Sequence, residues 1–322
     1  MSEGTSPYPI RRVASGLGFI EGPLALPDGR IMFTDIGAGD LNILDPRSGT
    51  IALFAHTGGG PNGVAIGPDG AYYVCNNGGL GFRKRSDGFI IPVPGSRGDD
   101  PIPPCIQKVT RDGVVTVLYD GCEGQPLTAP NDLVFDTAGG FYFTDSGRHS
   151  GRMTDLGGLY YAKADGSDIV ELIHEASAAI PLTLPNGCGL SPDGKRIYVA
   201  ETATARLWAW DIGGPGQLAV PPDAATPNGG IFIYNVSGHA RFDSLAVDSA
   251  GNICIATILG GGISVITPDG NLDAFIPIPG YDPFPTNICF GGDNLDTAYL
   301  TAAGTGAIYE VAWPRKGLRL NH

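Results

Sequence analysis

Basic side chains are scarce in this chain: 20 Lys and Arg stand against 33 Asp and Glu, for a formal net charge of −13. That shortage excludes nucleic acid, whose phosphates need a basic surface, and an anionic membrane surface, which attracts clusters of Lys and Arg. Charge of either sign is sparse, at 16% of residues, while 42% are hydrophobic, a balance that builds a core and argues against disorder. Long apolar runs are missing, and none approaches the roughly 18 residues of a membrane-spanning helix. Residues 1–10 are polar and carry prolines instead of the apolar stretch of a secretory signal, so a cytoplasmic setting is expected. The six cysteines (Cys75, Cys105, Cys122, Cys188, Cys254, Cys289) include no CxxC pair and read as buried, reduced thiols that pack as small hydrophobes. A Cys105–Cys122 bridge across one hairpin is conceivable, but a reducing compartment disfavours it. Neither a GxSxG elbow nor an HExxH helix occurs, which removes the standard serine-hydrolase and zincin signatures. GLSPDGKR at 189–196 lacks the Ser or Thr of a P-loop and runs on into a strand, so it is not a nucleotide site.

Glycine (50 residues) and proline (27) are abundant, and they punctuate a repeated phrase: an apolar strand, a turn on Pro-Asp-Gly or Ala-Gly, then a second strand. It reads LALPDGRIMFTD, VAIGPDGAYYVCN, LVFDTAGGFYFTD, GLSPDGKRIYVAE and LAVDSAGNICIAT, with a degraded sixth copy, ICFGGDNLDTAYLT. The turn glycines Gly29, Gly70, Gly139, Gly194 and Gly251 supply the positive φ of tight hairpins. Further strand text follows most copies, giving units of about four strands at a spacing of roughly 40 to 70 residues, the signature of propeller blades. The expected fold is all-β: one six-bladed β-propeller domain over residues 1–322, with residues 12–15 adding an outer strand to the last blade. Two segments exceed the repeat, 77–104 and 146–156, the second carrying Arg148, His149 and Arg152. Such insertions are lids, binding loops or excursions. Trp208, Trp210 and Trp313 sit in strand text and read as blade packing.

Eight residues before the turn glycines stand Glu21, Asn62, Asn131, Asn186 and Asp243, and Asn287 holds the matching place in the sixth copy. Asn and Asp before turns are common, and PNG or PND alone is turn-forming text. Six oxygen-bearing side chains in one register are another matter. The innermost strands of a propeller line its channel, so these side chains are expected to meet at one end of it. Two carboxylates in a narrow channel repel each other or hold a proton unless a cation joins them. Carboxylate and amide oxygens suit one divalent cation, calcium first, with magnesium or manganese also compatible. Zinc prefers nitrogen and sulfur, and no histidine occupies this register. His149 is a candidate substrate contact at the channel mouth, against the plainer reading of a solvated loop residue.

EGP at 21–23, PND at 130–132, LPNG at 184–187, FDSLAVD at 242–248 and PTNICFGG at 285–292 together resemble the SMP-30/gluconolactonase family of calcium-dependent lactonases. The resemblance spans nearly the whole chain. It implies that Glu21, Asn186 and Asp243 hold the metal, that Asn131 is a fourth ligand or contacts substrate, and that Asp243 is the general base. It places Asn62 and Asn287 near the pocket as substrate contacts. A small-molecule lactone is the implied substrate. Related propellers cleave phosphotriesters, and a calcium- or ligand-binding propeller without catalysis shares the same ring, so these readings stand beside it.

Overall fold

Short apolar strands separated by glycine turns cannot stack alone, because each buries only one face against its neighbour. The computed structural model describes residues 8–93, 95–150, 152–173, 181–220, 224, 226 and 229–322. The repeat glycines Gly29, Gly70, Gly139, Gly194 and Gly251 all take positive φ, between 68° and 87°. Each turn joins the first two strands of a four-stranded antiparallel sheet. The first blade runs Ile20–Ala25, Ile31–Asp35, Asp40–Asp45, Thr50–His56, and the second Pro61–Ile66, Tyr72–Asn76, Cys105–Val109, Val115–Tyr119. The third comprises Pro130–Phe135, Gly140–Asp145, Gly158–Lys163 and Ile169–Ile173. In the fourth, Pro185–Leu190, Arg196–Glu201 and Arg206–Gly214 are followed by Gln217–Ala219 and Ile231–Asn235, which share the outer edge. The fifth is Arg241–Val247, Ile253–Ile258, Gly262–Ile266 and Leu272–Pro277.

The sixth blade takes Pro285–Gly291, Thr297–Ala302 and Ala307–Ala312, and Ile10–Ser15 completes it by pairing antiparallel to Ala307–Ala312. The six innermost strands touch one another in a closed circuit, the last returning to the first. The six-bladed propeller expected from the repeat is therefore the fold, and the outer strand expected at residues 12–15 is present. No helix occurs among the described residues, and none is long and apolar enough to cross a membrane. The polar stretch of residues 1–7 lies outside the described residues.

Core packing lies between blades. Tyr142, Trp208 and Trp210 cluster between the third and fourth, and Trp313 sits between the fifth and sixth. All three tryptophans are buried, as blade packing requires, and each large side chain removed from water contributes about 1.5–3 kcal/mol. The cysteines are free, five of them buried and Cys289 partly so. The 77–104 segment forms a small hairpin (Phe82–Lys84 with Ile90–Pro92). It leans across the mouth of the first and sixth blades: Phe82 stacks on Phe19 at 4.6 Å, and the Ile90 amide donates to Gly304 O at 2.8 Å.

Candidate functional site

The innermost strands do not pair evenly. In every blade the register to the second strand slips at the site position: between Glu21 and Leu24, Pro61 and Val64, Pro130 and Leu133, Pro185 and Cys188, Phe242 and Leu245, and Pro285 and Asn287. A bulge leaves residues unpaired and re-aims their side chains. In four blades the unpaired residues begin with the ring residue itself, Asn62, Asn131, Asn186 or Asp243. Hydroxyls on the second strand, or one residue past its end, then fasten the next blade. Thr34 Oγ1 donates to Asn62 O at 2.8 Å, Thr144 Oγ1 to Asn186 O at 2.5 Å, and Thr202 Oγ1 to Phe242 O at 2.7 Å. Neighbouring blades are thus tied through backbone carbonyls at or beside the ring positions, without using the ring side chains.

In four blades the residue after the ring position is small, Gly22, Gly63, Gly187 or Ser244, and for a reason. A Cβ on Gly22 would lie 2.3 Å from Asn62 O, and one on Gly187 would lie 2.5 Å from the Leu245 amide nitrogen. Asp132 breaks this pattern: it fills the equivalent place in the third blade, and a Cβ on Gly63 would lie 2.5 Å from its Oδ1. Gly63 makes the room that this carboxylate occupies. Asp132 accepts from the Leu133 amide at 2.9 Å and the Cys188 amide at 3.3 Å. Sequence reasoning missed it, although a charge where four other blades keep Gly or Ser and the sixth has Ile288 was the available signal.

All six expected ring residues are buried, as is Asp132. The structure brings Asn186 and Asp243 together through a hydrogen bond from Nδ2 to Oδ1, and Asn186 Oδ1 accepts from Ser244 Oγ at 3.1 Å. Asn287 Nδ2 donates to Glu21 Oε2 at 2.7 Å while its own oxygen accepts from the Ile288 amide, so its amide serves to orient Glu21. Asn62 and Asn131 differ: each has a buried Oδ1 that accepts no hydrogen bond. His149 pairs by backbone with Thr154 in a two-residue-per-strand hairpin, and its side chain lies outside the described residues.

Burial, reinforced by the charges of Asp243 and Asp132, pushes the Glu21 carboxyl well above the ordinary range. Burial raises Asp243 to about 8, the Asn186 hydrogen bond opposing and the Asp132 charge adding to it. Asp132 rises to about 7 through burial. Three buried acids within electrostatic reach of one another favour a cation, because a desolvated like-charge cluster is costly, and the unmatched buried oxygens of Asn62 and Asn131 add acceptors at the same strand position. Among the described residues no three His, Cys, Asp or Glu side chains converge as metal ligands. The donor set mixes carboxylates with amides, which fits a hard cation held by oxygen. Beyond the ring, the channel holds a cavity of about 220 Å³ with walls such as Leu24, Leu133, Leu245 and Ile288, and residues 318–322 border it.

Propeller and ring together define a class: closed β-propellers with an acidic, oxygen-lined centre on the axis. Residues 19–304 match the SMP-30/Gluconolactonase/LRE-like region, and the chain belongs to that family. It is 30% identical over 257 residues to Lactonase drp35 of Staphylococcus aureus, covering 79% of this chain and 68% of that protein. Two solved structures share the fold. A gluconolactonase from Xanthomonas campestris has a TM-score of 0.71 at 20% identity, with coverage of 95% and 89%. A calcium-binding protein, regucalcin, from Agrobacterium tumefaciens has a TM-score of 0.71 at 19% identity, with coverage of 98% and 100%.

Proposed function

We propose that this chain is a divalent-cation-dependent hydrolase that opens lactones. The observation that carries the reading is the set of buried carboxyls from separate blades that raise one another's pKa, with buried amide oxygens lacking partners at the same strand position in two further blades. The names of the S. aureus lactonase and the X. campestris gluconolactonase support it. Glu21, Asn131, Asn186 and Asp243 would hold the ion, calcium first, with Asn186 turned end for end so that its oxygen faces the ring and its nitrogen meets Ser244. A bound divalent cation supplies Lewis acidity to the ester carbonyl and to the oxyanion that develops on it.

Turning Asn186 would free Asp243 Oδ1 from the amide it accepts in this structure, so that this oxygen would hold the ion and Oδ2 would be left for water. That carboxylate takes a proton from the water as its oxygen attacks the ester carbon. When the ring C–O bond breaks, Asp243 returns the proton to the departing alkoxide, and a hydroxy acid results. Asn62 and Asn131 present amides that orient the substrate, and Asn287 holds Glu21 in place.

A pH-indicator screen of sugar, aliphatic and aromatic lactones, with and without chelator, tests the proposal. Turnover abolished by chelator and restored by calcium is expected. Turnover of a phosphotriester alone would move the assignment to phosphorus, and a calcium-dependent rise in Tm without any turnover would leave a binding propeller.

A further inference from the structure

The loop after Gly140–Asp145 carries Arg148, which the hydrolytic reading leaves without a task. Its Nη2 donates to Asn77 O at 2.6 Å, and the side chain is half-buried. Asn77 is pinned to the mouth of the second blade, where its amide donates at 2.9 Å to the carbonyl of Gly60, two residues before Asn62. On the other side stands Asp145, within electrostatic reach of Arg148. Asp145 receives the amides of Thr128 and Ala129 at 2.7 Å each, and Ala129 lies two residues before Asn131. Arg148 therefore bridges the turns that lead into the two ring amides whose oxygens lack partners.

Its charge is poorly matched. Among the described residues Arg148 makes no ion pair. Asp145 already accepts three amides, from Thr128, Ala129 and Gly147, and Asp155 is reached through its backbone. Burial, and after it the charge of Arg97, lowers the Arg148 pKa. Arg97 lies on the 77–104 segment, exposed and likewise without an ion pair among the described residues. A half-buried guanidinium without an ion pair among the described residues is matched best by a carboxylate, which it can grip with two parallel hydrogen bonds. In a protein of net charge −13, such a positive lip also offsets the field that opposes an anion approaching an acidic centre.

We propose that Arg148, with Arg97 beside it, receives a carboxylate substituent of the substrate and so selects lactones that carry a negative charge. The inference rests on the hydrolytic reading of the ring. The calcium-loaded full chain is assayed on 5-oxotetrahydrofuran-2-carboxylate and on its carboxamide, two lactones that differ only in that charge. The wild type is expected to favour the carboxylate by about tenfold or more in kcat/KM, through KM, as a charge-assisted hydrogen bond implies. Arg148→Gln brings the ratio to within about twofold of one, Arg97→Gln lowers it about threefold, and Arg148→Lys, which keeps charge without the fork, falls between wild type and Arg148→Gln.

Glutarate titrated by calorimetry reads the same contact without turnover, with binding about tenfold weaker in Arg148→Gln. A wild-type ratio near one, or a ratio that survives Arg148→Gln, overturns the proposal. Should neither lactone be cleaved, the hydrolytic reading fails and glutarate decides: equal binding to both proteins, or none to the wild type, sinks the role of Arg148. If Arg148→Gln does not fold, the Arg97→Gln and Arg148→Lys ratios decide, and unchanged ratios in both overturn it.

Discussion

Each innermost strand has acidic or amide side chains near both ends, and the two ends use them in opposite ways. At the turn end, Asp28 accepts from the Arg30 guanidinium at 2.8 Å and the Arg30 amide at 3.1 Å. Asp193 accepts from the Ser191 hydroxyl at 2.7 Å and the Lys195 amide at 3.1 Å. Those hydrogen bonds, the Arg30 and Ser191 side chains first, hold both exposed carboxyls below the ordinary range. At the ring end, burial lifts Glu21, Asp132 and Asp243 above it. Residue type does not decide between these fates. A carboxylate given donors and water shapes a turn, while one denied both keeps its proton or awaits a cation.

The sharpest way to break this contrast is Asp243→Asn. With the shape kept and the proton acceptor gone, kcat on a cleaved lactone should fall at least about 100-fold. The metal-free protein should melt no lower than wild type, since one member of a repelling cluster is removed. Full activity in the variant would end the assignment of the base, and an unfolded variant would mean that Asp243 is structural.

Calcium and pH sharpen the comparison next. In chelator, Asp132 and Asp243 titrate near 7 and 8 in the folded chain, and Glu21 is raised as well. An unfolded carboxylate titrates near 4. From about pH 4 upward the native state binds more protons than the unfolded one, so stability falls as pH rises through about 7 and about 8. Calcium bound at these acids would reverse the preference by stabilising their ionised forms. At one hundred times its Kd it should add about 2.7 kcal/mol, with a larger gain in Tm at pH 8 than at pH 5. Glu21→Gln should remove most of that gain. A calcium effect independent of pH would place the ion elsewhere.

The blades were legible because the turn signal and the alternation of strand text recur, and recurrence survives noise. The candidate ring positions were legible for the same reason: Glu21, Asn62, Asn131, Asn186, Asp243 and Asn287 share one register, and all six are buried on innermost strands. Their division of labour was not. Nothing in the sequence says that Asn287 is already engaged with Glu21 and the Ile288 amide while Asn62 and Asn131 leave an oxygen without a partner. Those assignments follow from the angle at which each bulge turns its side chain. The closeness of Arg148 to Asn77 was equally hidden, because it joins residues 71 apart in the chain through packing between blades.

Glycine substitutions probe the two ends by different physics. At Gly63, where a Cβ would fall 2.5 Å from Asp132 Oδ1 and 2.7 Å from its Cα, Gly63→Ala should cost about 1–3 kcal/mol by overpacking. It should also weaken the calcium-induced rise in Tm, because Asp132 must shift. At Gly194 a Cβ would meet nothing within 4 Å, but φ is +68°, so Gly194→Ala should cost about 1–2 kcal/mol through backbone strain alone. Its calcium response should match wild type. A calcium response lost in both variants would show that the two ends are coupled through the strand.

The smallest effect is expected from Asp193→Ala, which removes hydrogen bonds to Ser191 and Lys195 in exposed positions and should cost about 1 kcal/mol. Asp193 stands seven residues beyond Asn186, roughly 20 Å along an extended chain at the usual strand rise. Effects at that separation add when no partner is shared. The melting shift of Asp193→Ala combined with Asp243→Asn should therefore equal the sum of the single shifts, and kcat should follow Asp243 alone. Departure from additivity beyond about 0.5 kcal/mol would mean that the turn helps set the bulge from which the ring residue projects.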